Sequence, residues 1–426
     1  MKKIDIIGID ETVYYHKTKE GLDIYVWKNN KINSKYMTLS VKYGSVDTDF
    51  KVGNKTYHVP NGTAHFLEHI KFNIDKDKTA HDVFQVQKAD ANAFTTFLYT
   101  SYVVFVSENI SKNLNSLLDF VYNPYFTKQT ISKEKPIIIE ESNMGSDDPY
   151  IYSYFSQLQQ VFSKSHYRNR ITGLQKDINS INLDDIKIVY DTFYHPQNMF
   201  LVVTGDVNPY EIAKICDENL SNKSFSDYKN PIKMVPKEDK KVIDSYKEEY
   251  LNVVNSSVKY AIKIPLSIYK KYPKVEIGLY LQIILESIFS ATSNFCEELK
   301  NEGLITSIYP DYSFIDDYVF ISINADSDYP QELIERIKDK FNNLELNKED
   351  FLRKKKAYIA RFILNYDNIQ FVNDLISNEI VEYNKLINNK KSIYEQLSYN
   401  NALNIMSTIN NNPHSVYVLK PQKKQN

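Results

Sequence analysis

Five consecutive residues, His65-Phe66-Leu67-Glu68-His69, combine two imidazoles and a carboxylate at a spacing that suits a metal ion with a base beside it. On a helix, residues four apart share a face one turn apart, so His65 and His69 can hold one ion between them. Glu68 leans toward the same face. A carboxylate there can take a proton from a water activated by the metal without being a ligand itself. A catalytic zinc site uses three protein ligands and keeps one position open for water. The third ligand is sought in the segment 134–144, which carries Glu134, Glu140 and Glu141. Glu134 and Glu141 are two helical turns apart and share a face, whereas Glu140 points about 100° away. One of the aligned pair can bind the ion while the other orients a ligating histidine. Spacing alone leaves open which does which.

These side chains need elements to position them. Asn61-Gly62 breaks the chain before an apolar run, which predicts a helix over 64–72 with Thr63 near its start. A second helix is expected over 81–88. Strands are expected over 92–97 and 102–107, joined by a turn at Tyr99-Thr100. Further helices are expected over 113–121 and 132–144, with Pro136 tolerated in the first turn of the latter. Residues 23–26 and 36–46 alternate as paired strands would, and the compact strand 200–205 closes the first half.

The second half repeats this order. Residues 253–264 alternate as a strand, and an apolar helix spans 275–302 with a break near Ser290. The strands 307–314 and 318–324 follow. Between the halves, 221–247 is rich in Lys, Asp, Ser and Pro without periodicity and reads as a linker. The expectation is an α+β protein of two similar lobes, 1–220 and 248–426, each an antiparallel or mixed sheet packed with helices, the zinc motif lying in the first only.

Composition narrows the function classes. Lys+Arg 52 against Asp+Glu 54 gives a net charge of −2, and no basic stripe interleaved with aromatics stands out, so nucleic acid is not an expected partner. Cys216 and Cys296 lie in different halves and build no disulfide framework, which suits a reducing compartment. Asp5 and Asp10 interrupt any signal-like apolar run, and no run is read as approaching the roughly 18 residues that span a bilayer. A cytoplasmic protein without a transmembrane segment is expected.

Several segments together resemble the insulinase/pitrilysin family of metallopeptidases, in particular its half-size bacterial members. They are Gly62 to His69, Asn92-Ala93-Phe94-Thr95 with Thr100 to Tyr102, and Glu134 to Met144 with Asp147-Asp148-Pro149. Phe193 to Met199 leading to Gly205-Asp206, and Glu298 to Ile305, complete the set. The similarity spans nearly the whole chain, in the family's order, and the glutamate abutting the second histidine is the inverted zincin arrangement.

The resemblance implies one zinc per chain held by His65, His69 and Glu141, with Glu68 as general base and Glu134 supporting a ligand. It also implies that Asn92 and Ala93 lie on the edge strand that receives an extended peptide. In many members an Arg–Tyr pair from the second half reaches the site, and Lys300 and Thr306 stand there instead. Four such lobes close a chamber in this family. The resemblance therefore implies a dimer, with a copy of the chain or with a paralogue lacking the zinc motif. The implied activity is hydrolysis of unfolded peptides or of a precursor leader, as in bacteriocin maturation. Two other readings are a non-catalytic peptide-binding subunit, which would have no need of Glu68, and an accessory factor in translation-factor modification.

Overall fold

The structure is a computed structural model describing residues 1–422. The chain forms two compact units. One comprises Met1–Met144, Asn169–Met234 and Ile363–Lys390. The other comprises Gly145–Arg168, Val235–Phe362 and the segment from Lys391 onward.

The first unit is built on a seven-stranded sheet in the order Lys2–Ile6, Glu11–Lys17, Asp23–Lys28, Met199–Gly205, Lys35–Val41, Thr100–Val106 and Ala89–Thr95. Asp23–Lys28 and Lys35–Val41 are not partners, contrary to the expected pairing. Met199–Gly205 runs between them, parallel to the former and antiparallel to the latter. Every residue of this inserted strand is buried, and its continuous apolar run is that of a strand covered on both faces. The helix Ile369–Tyr383 packs on it. The fully buried Asn373 there accepts from the Thr38 hydroxyl at 2.6 Å and donates to the Val202 carbonyl at 3.1 Å. Ala89–Thr95 ends the sheet and has one ladder partner, Thr100–Val106.

The second unit carries a five-stranded sheet in the order Tyr246–Leu251, His414–Pro421, Ser257–Pro265, Tyr318–Asp326 and Ser307–Ile315. This repeats five strands of the first sheet, including the single parallel pair, here Tyr246–Leu251 with His414–Pro421. The fold is the expected α+β duplication. The compact units nevertheless differ from the contiguous spans 1–220 and 248–426. Residues 145–168, with the helix Pro149–Val161 lying on His414–Pro421, pack in the second unit, while 363–390 pack in the first. The segment 221–247 is divided as well, at Met234 and Val235.

Its second part is fastened by a buried ion pair. Glu238 accepts from the backbone N–H groups of Ser163, Lys164 and Ser165, and its Oε1 lies 2.8 Å from the Lys263 ammonium. Lys274–Phe289 and Asn294–Asn301 break at Ser290, as the sequence suggested, and Ser293 caps the second helix. By length and composition the stretch Lys274–Asn301 could cross a membrane, which corrects the expectation that no segment could. Ile277, Leu281, Ile284 and Ile288 of this stretch pack into the core of the second unit.

Candidate active site

The helix Thr63–Lys71 starts where the backbone is forced. Gly62 has φ +86°, and a Cβ there would lie 2.4 Å from the Thr172 carbonyl oxygen, so only glycine lets the two chain segments touch. Phe66, Leu67 and Ile70 are fully buried and anchor one face. That turns His65, Glu68 and His69 to the other side. Lys71, one turn beyond Leu67, falls on the apolar face and is only 1% exposed. Its ammonium donates to the Asn123 carbonyl and lies over the rings of Phe120, Phe126 and Tyr190, and burial lowers its pKa to about 7. Sequence reasoning passed over Lys71, although its place one turn after Leu67 was a signal.

The acidic helix runs over Lys128–Asp147, longer than expected. Pro136 therefore sits in its interior rather than its first turn. Thr130, Ile131, Ile138 and Ser142 are its buried residues, and the Ser142 hydroxyl donates to the Gly173 carbonyl at 2.8 Å. This fixes the helix beside the same Gly62–Gly173 contact that starts the histidine helix.

His65, His69 and Glu141 come together, each offering one donor atom, all within 4.8 Å of one another. His65 Nε2 lies 3.4 Å from Glu141 Oε1, and His69 Nε2 lies 3.3 Å from Glu141 Oε2. Ligands at zinc distances in a tetrahedron stand about 3.3 Å apart, so these donors fit such an ion with little movement. Glu134 Oε1 lies 3.2 Å from His69 Nδ1, the nitrogen facing away from the cluster. His65 Nδ1 is buried without a hydrogen-bond partner, so on that side of the ring only packing holds it. Glu140, as expected, is exposed on another face.

Hydrogen bonds from His65 and His69 hold the Glu141 carboxyl well below the usual carboxylate range. Burial disfavours a charged His69, yet the hydrogen bonds to Glu134 and Glu141 and the Glu68 charge push its pKa up to about 10. Glu68 is 7% exposed, and burial raises its pKa against the opposing pull of His65 and of a hydrogen bond from Thr95. The Thr95 hydroxyl donates to Glu68 Oε2 at 2.5 Å.

Asn92 and Ala93 lie on the edge strand Ala89–Thr95, Asn92 exposed and Ala93 half-buried. The Ala93 N–H donates to Asn92 Oδ1 at 2.8 Å. Lys300 and Thr306 are exposed residues of the second unit.

Comparison with known proteins agrees with this arrangement. The profile "Insulinase (Peptidase family M16)" matches residues 36–172, and "Peptidase M16 inactive domain" matches residues 180–358. An uncharacterized zinc protease, YmfH of Bacillus subtilis (strain 168), is 34% identical over 369 residues, covering 85% of this chain and 84% of YmfH. The crystal structure of an M16-like peptidase from Alicyclobacillus acidocaldarius superposes with a TM-score of 0.91 at 24% identity, covering 98% of this chain and 100% of that one. The chain belongs to the insulinase (M16) family of zinc peptidases, and it is an enzyme of the protease class.

The expected cytoplasmic location does not stand. The same fold is found in the periplasmic protease PqqL from Escherichia coli, with a TM-score of 0.72 at 14% identity, covering 96% of this chain and 47% of that one. Cys216 and Cys296 are both buried and free, shielded from oxidation by packing, and so mark no compartment.

Proposed function

We propose that this chain is a zinc endopeptidase that hydrolyses unfolded peptides, with His65, His69 and Glu141 as ligands of one zinc ion and Glu68 as general base. The observation that carries the reading is the donor geometry, 3.4 and 3.3 Å from the two imidazoles to one carboxylate, with Glu68 on the same helical face. Zinc, when bound, supplies a Lewis acid that lowers the pKa of a water and polarises the scissile carbonyl. Glu68 accepts a proton from the attacking water and returns it to the departing amine. Its burial favours holding that proton between the two steps. Glu134 accepts a hydrogen bond from the His69 Nδ1–H and so directs Nε2 toward the ligand cluster.

The peptide lies along the free edge of Ala89–Thr95 as an added strand, held by main-chain hydrogen bonds that read no particular sequence. A precursor leader is one such peptide. Asn92 Oδ1, which now accepts from the Ala93 N–H, gives way to a peptide carbonyl. A second chain, a copy or a zinc-less paralogue, completes the enclosure around the site. Ile137 and Met144, exposed on either side of Glu141, support a covered face there.

The test uses the full chain loaded with one zinc, alone and mixed with a candidate zinc-less partner chain, and reduced, carboxymethylated α-lactalbumin as the unfolded substrate. Cleavage that a chelator abolishes and added zinc restores is expected. Absence of cleavage both alone and with the partner at full zinc occupancy would overturn the proposal.

A further inference from the structure

The hydroxyl of Thr95 has one proton, and the geometry shows where it goes. Glu68 Oε2 lies 2.5 Å away, within the range of an O–H···O⁻ bond. The neighbouring hydroxyl of Thr100, opposite Thr95 in the ladder, donates to the Tyr43 carbonyl at 3.1 Å. The two hydroxyls are 3.4 Å apart, too far to compete strongly. The Thr95 proton is therefore committed to Glu68, leaving Oε1 as the oxygen free to meet water.

Thr95 is also the last residue of the edge strand Ala89–Thr95. By strand alternation its side chain shares a face with Ala91 and Ala93, and Ala91 is buried in the same core as Phe66 and Leu67. The strand thus reaches the base through one side chain. A peptide added to the outer edge takes its register from the strand's main chain, and Glu68 takes its position from the strand's terminal hydroxyl.

We infer that Thr95 is a positioning residue, which locks Glu68 in one rotamer and ties the base to the register of the peptide-binding strand. This rests on the reading of Glu68 as the general base. A displaced base loses rate rather than affinity, and a misplacement of about 1 Å is enough for about 100-fold in kcat. Thr95→Val keeps the shape and removes the hydroxyl, and Thr95→Ser keeps the hydroxyl and removes the methyl.

The experiment measures kcat and KM on reduced, carboxymethylated α-lactalbumin, zinc content, and crystal structures of the metal-free full chain. Thr95→Val is expected to lose about 30- to 100-fold in kcat with KM and zinc content near wild type. Thr95→Ser is expected to lie within about threefold of wild type. In the crystals, Glu68 should keep one position in the wild type and in Thr95→Ser and leave it in Thr95→Val. Equal kcat in wild type and Thr95→Val, or an unmoved Glu68 carboxylate in the variant, overturns the inference. Should Thr95→Val fail to fold, Thr95→Ala with the same readouts decides. If the wild type cleaves nothing, the function reading fails, and the crystallographic comparison still judges Thr95.

Discussion

Glu134 and Glu141, two turns apart on one helix, hold opposite nitrogens of the same imidazole: Glu134 Oε1 is 3.2 Å from His69 Nδ1, and Glu141 Oε2 is 3.3 Å from Nε2. On the proposed reading the two carboxylates have different tasks. Glu141→Ala would remove a ligand and is expected to leave the protein without stoichiometric zinc. Glu134→Ala removes only the acceptor that orients the ring, and should keep zinc with affinity weaker by about 10- to 100-fold. Competition against a chromophoric chelator measures both, and equal loss in the two variants would contradict the division.

Metal binding should depend on pH in a stated direction. Without metal, His69 has its pKa pushed up to about 10, so at neutral pH it carries a proton that a ligand nitrogen must give up. Apparent zinc affinity is expected to rise with pH through the neutral range, with proton release on binding. Calorimetry in two buffers of different ionisation enthalpy reads that release, and pH-independent affinity would contradict the protonated imidazole.

Gly62 sets the start of the ligand helix. Gly62→Ala places a methyl 2.4 Å from a carbonyl oxygen at φ +86°. The nearest atoms it meets are backbone, so the helix or the segment at Thr172 must move. A loss of more than about 1 kcal/mol in stability is expected, with reduced zinc occupancy, from urea unfolding and metal analysis.

The Glu238–Lys263 pair gives a separate stability prediction in the second unit. Both side chains are buried, and Glu238→Gln leaves an ammonium without its counter-charge, for an expected cost of about 3 kcal/mol in urea unfolding. Burial alone would raise the Glu238 pKa, but Lys263 and three backbone N–H groups bring it down to about 2. A depressed carboxyl contributes stability that is present above its unfolded pKa of about 4.3 and lost as pH falls through the folded value. The wild-type unfolding midpoint should drop between about pH 4 and 2 more steeply than that of Glu238→Gln.

What was legible in the sequence was local. The spacing of His65, Glu68 and His69, the shared face of Glu134 and Glu141, and the hairpin ending in Thr100–Val106 all follow from period-3.6 and period-2 patterns within one element or between adjacent ones. What escaped depends on long-range pairing. Nothing in 199–205 announces that it will part Asp23–Lys28 from Lys35–Val41, because a strand buried on both faces reads the same beside any neighbour. The helices Pro149–Val161 and Ile369–Tyr383 are amphipathic, but periodicity does not say which sheet covers them. Pro136 argued for a helix start because it lacks an N–H, yet the helix runs through it from Lys128. Thr95 stands in a segment that carries the family resemblance, but its contact with Glu68 was not legible, since a hydroxyl at the end of a strand is common and its partner lies 27 residues away.

Glu68 is proposed as a base and not a ligand. The most direct test is zinc stoichiometry and turnover of Glu68→Gln beside wild type, on the same unfolded substrate and under the same partner conditions. One zinc per chain is expected in both, with turnover of the variant lower by about 100- to 10,000-fold. Loss of zinc in Glu68→Gln, or turnover within a few-fold of wild type, would contradict it.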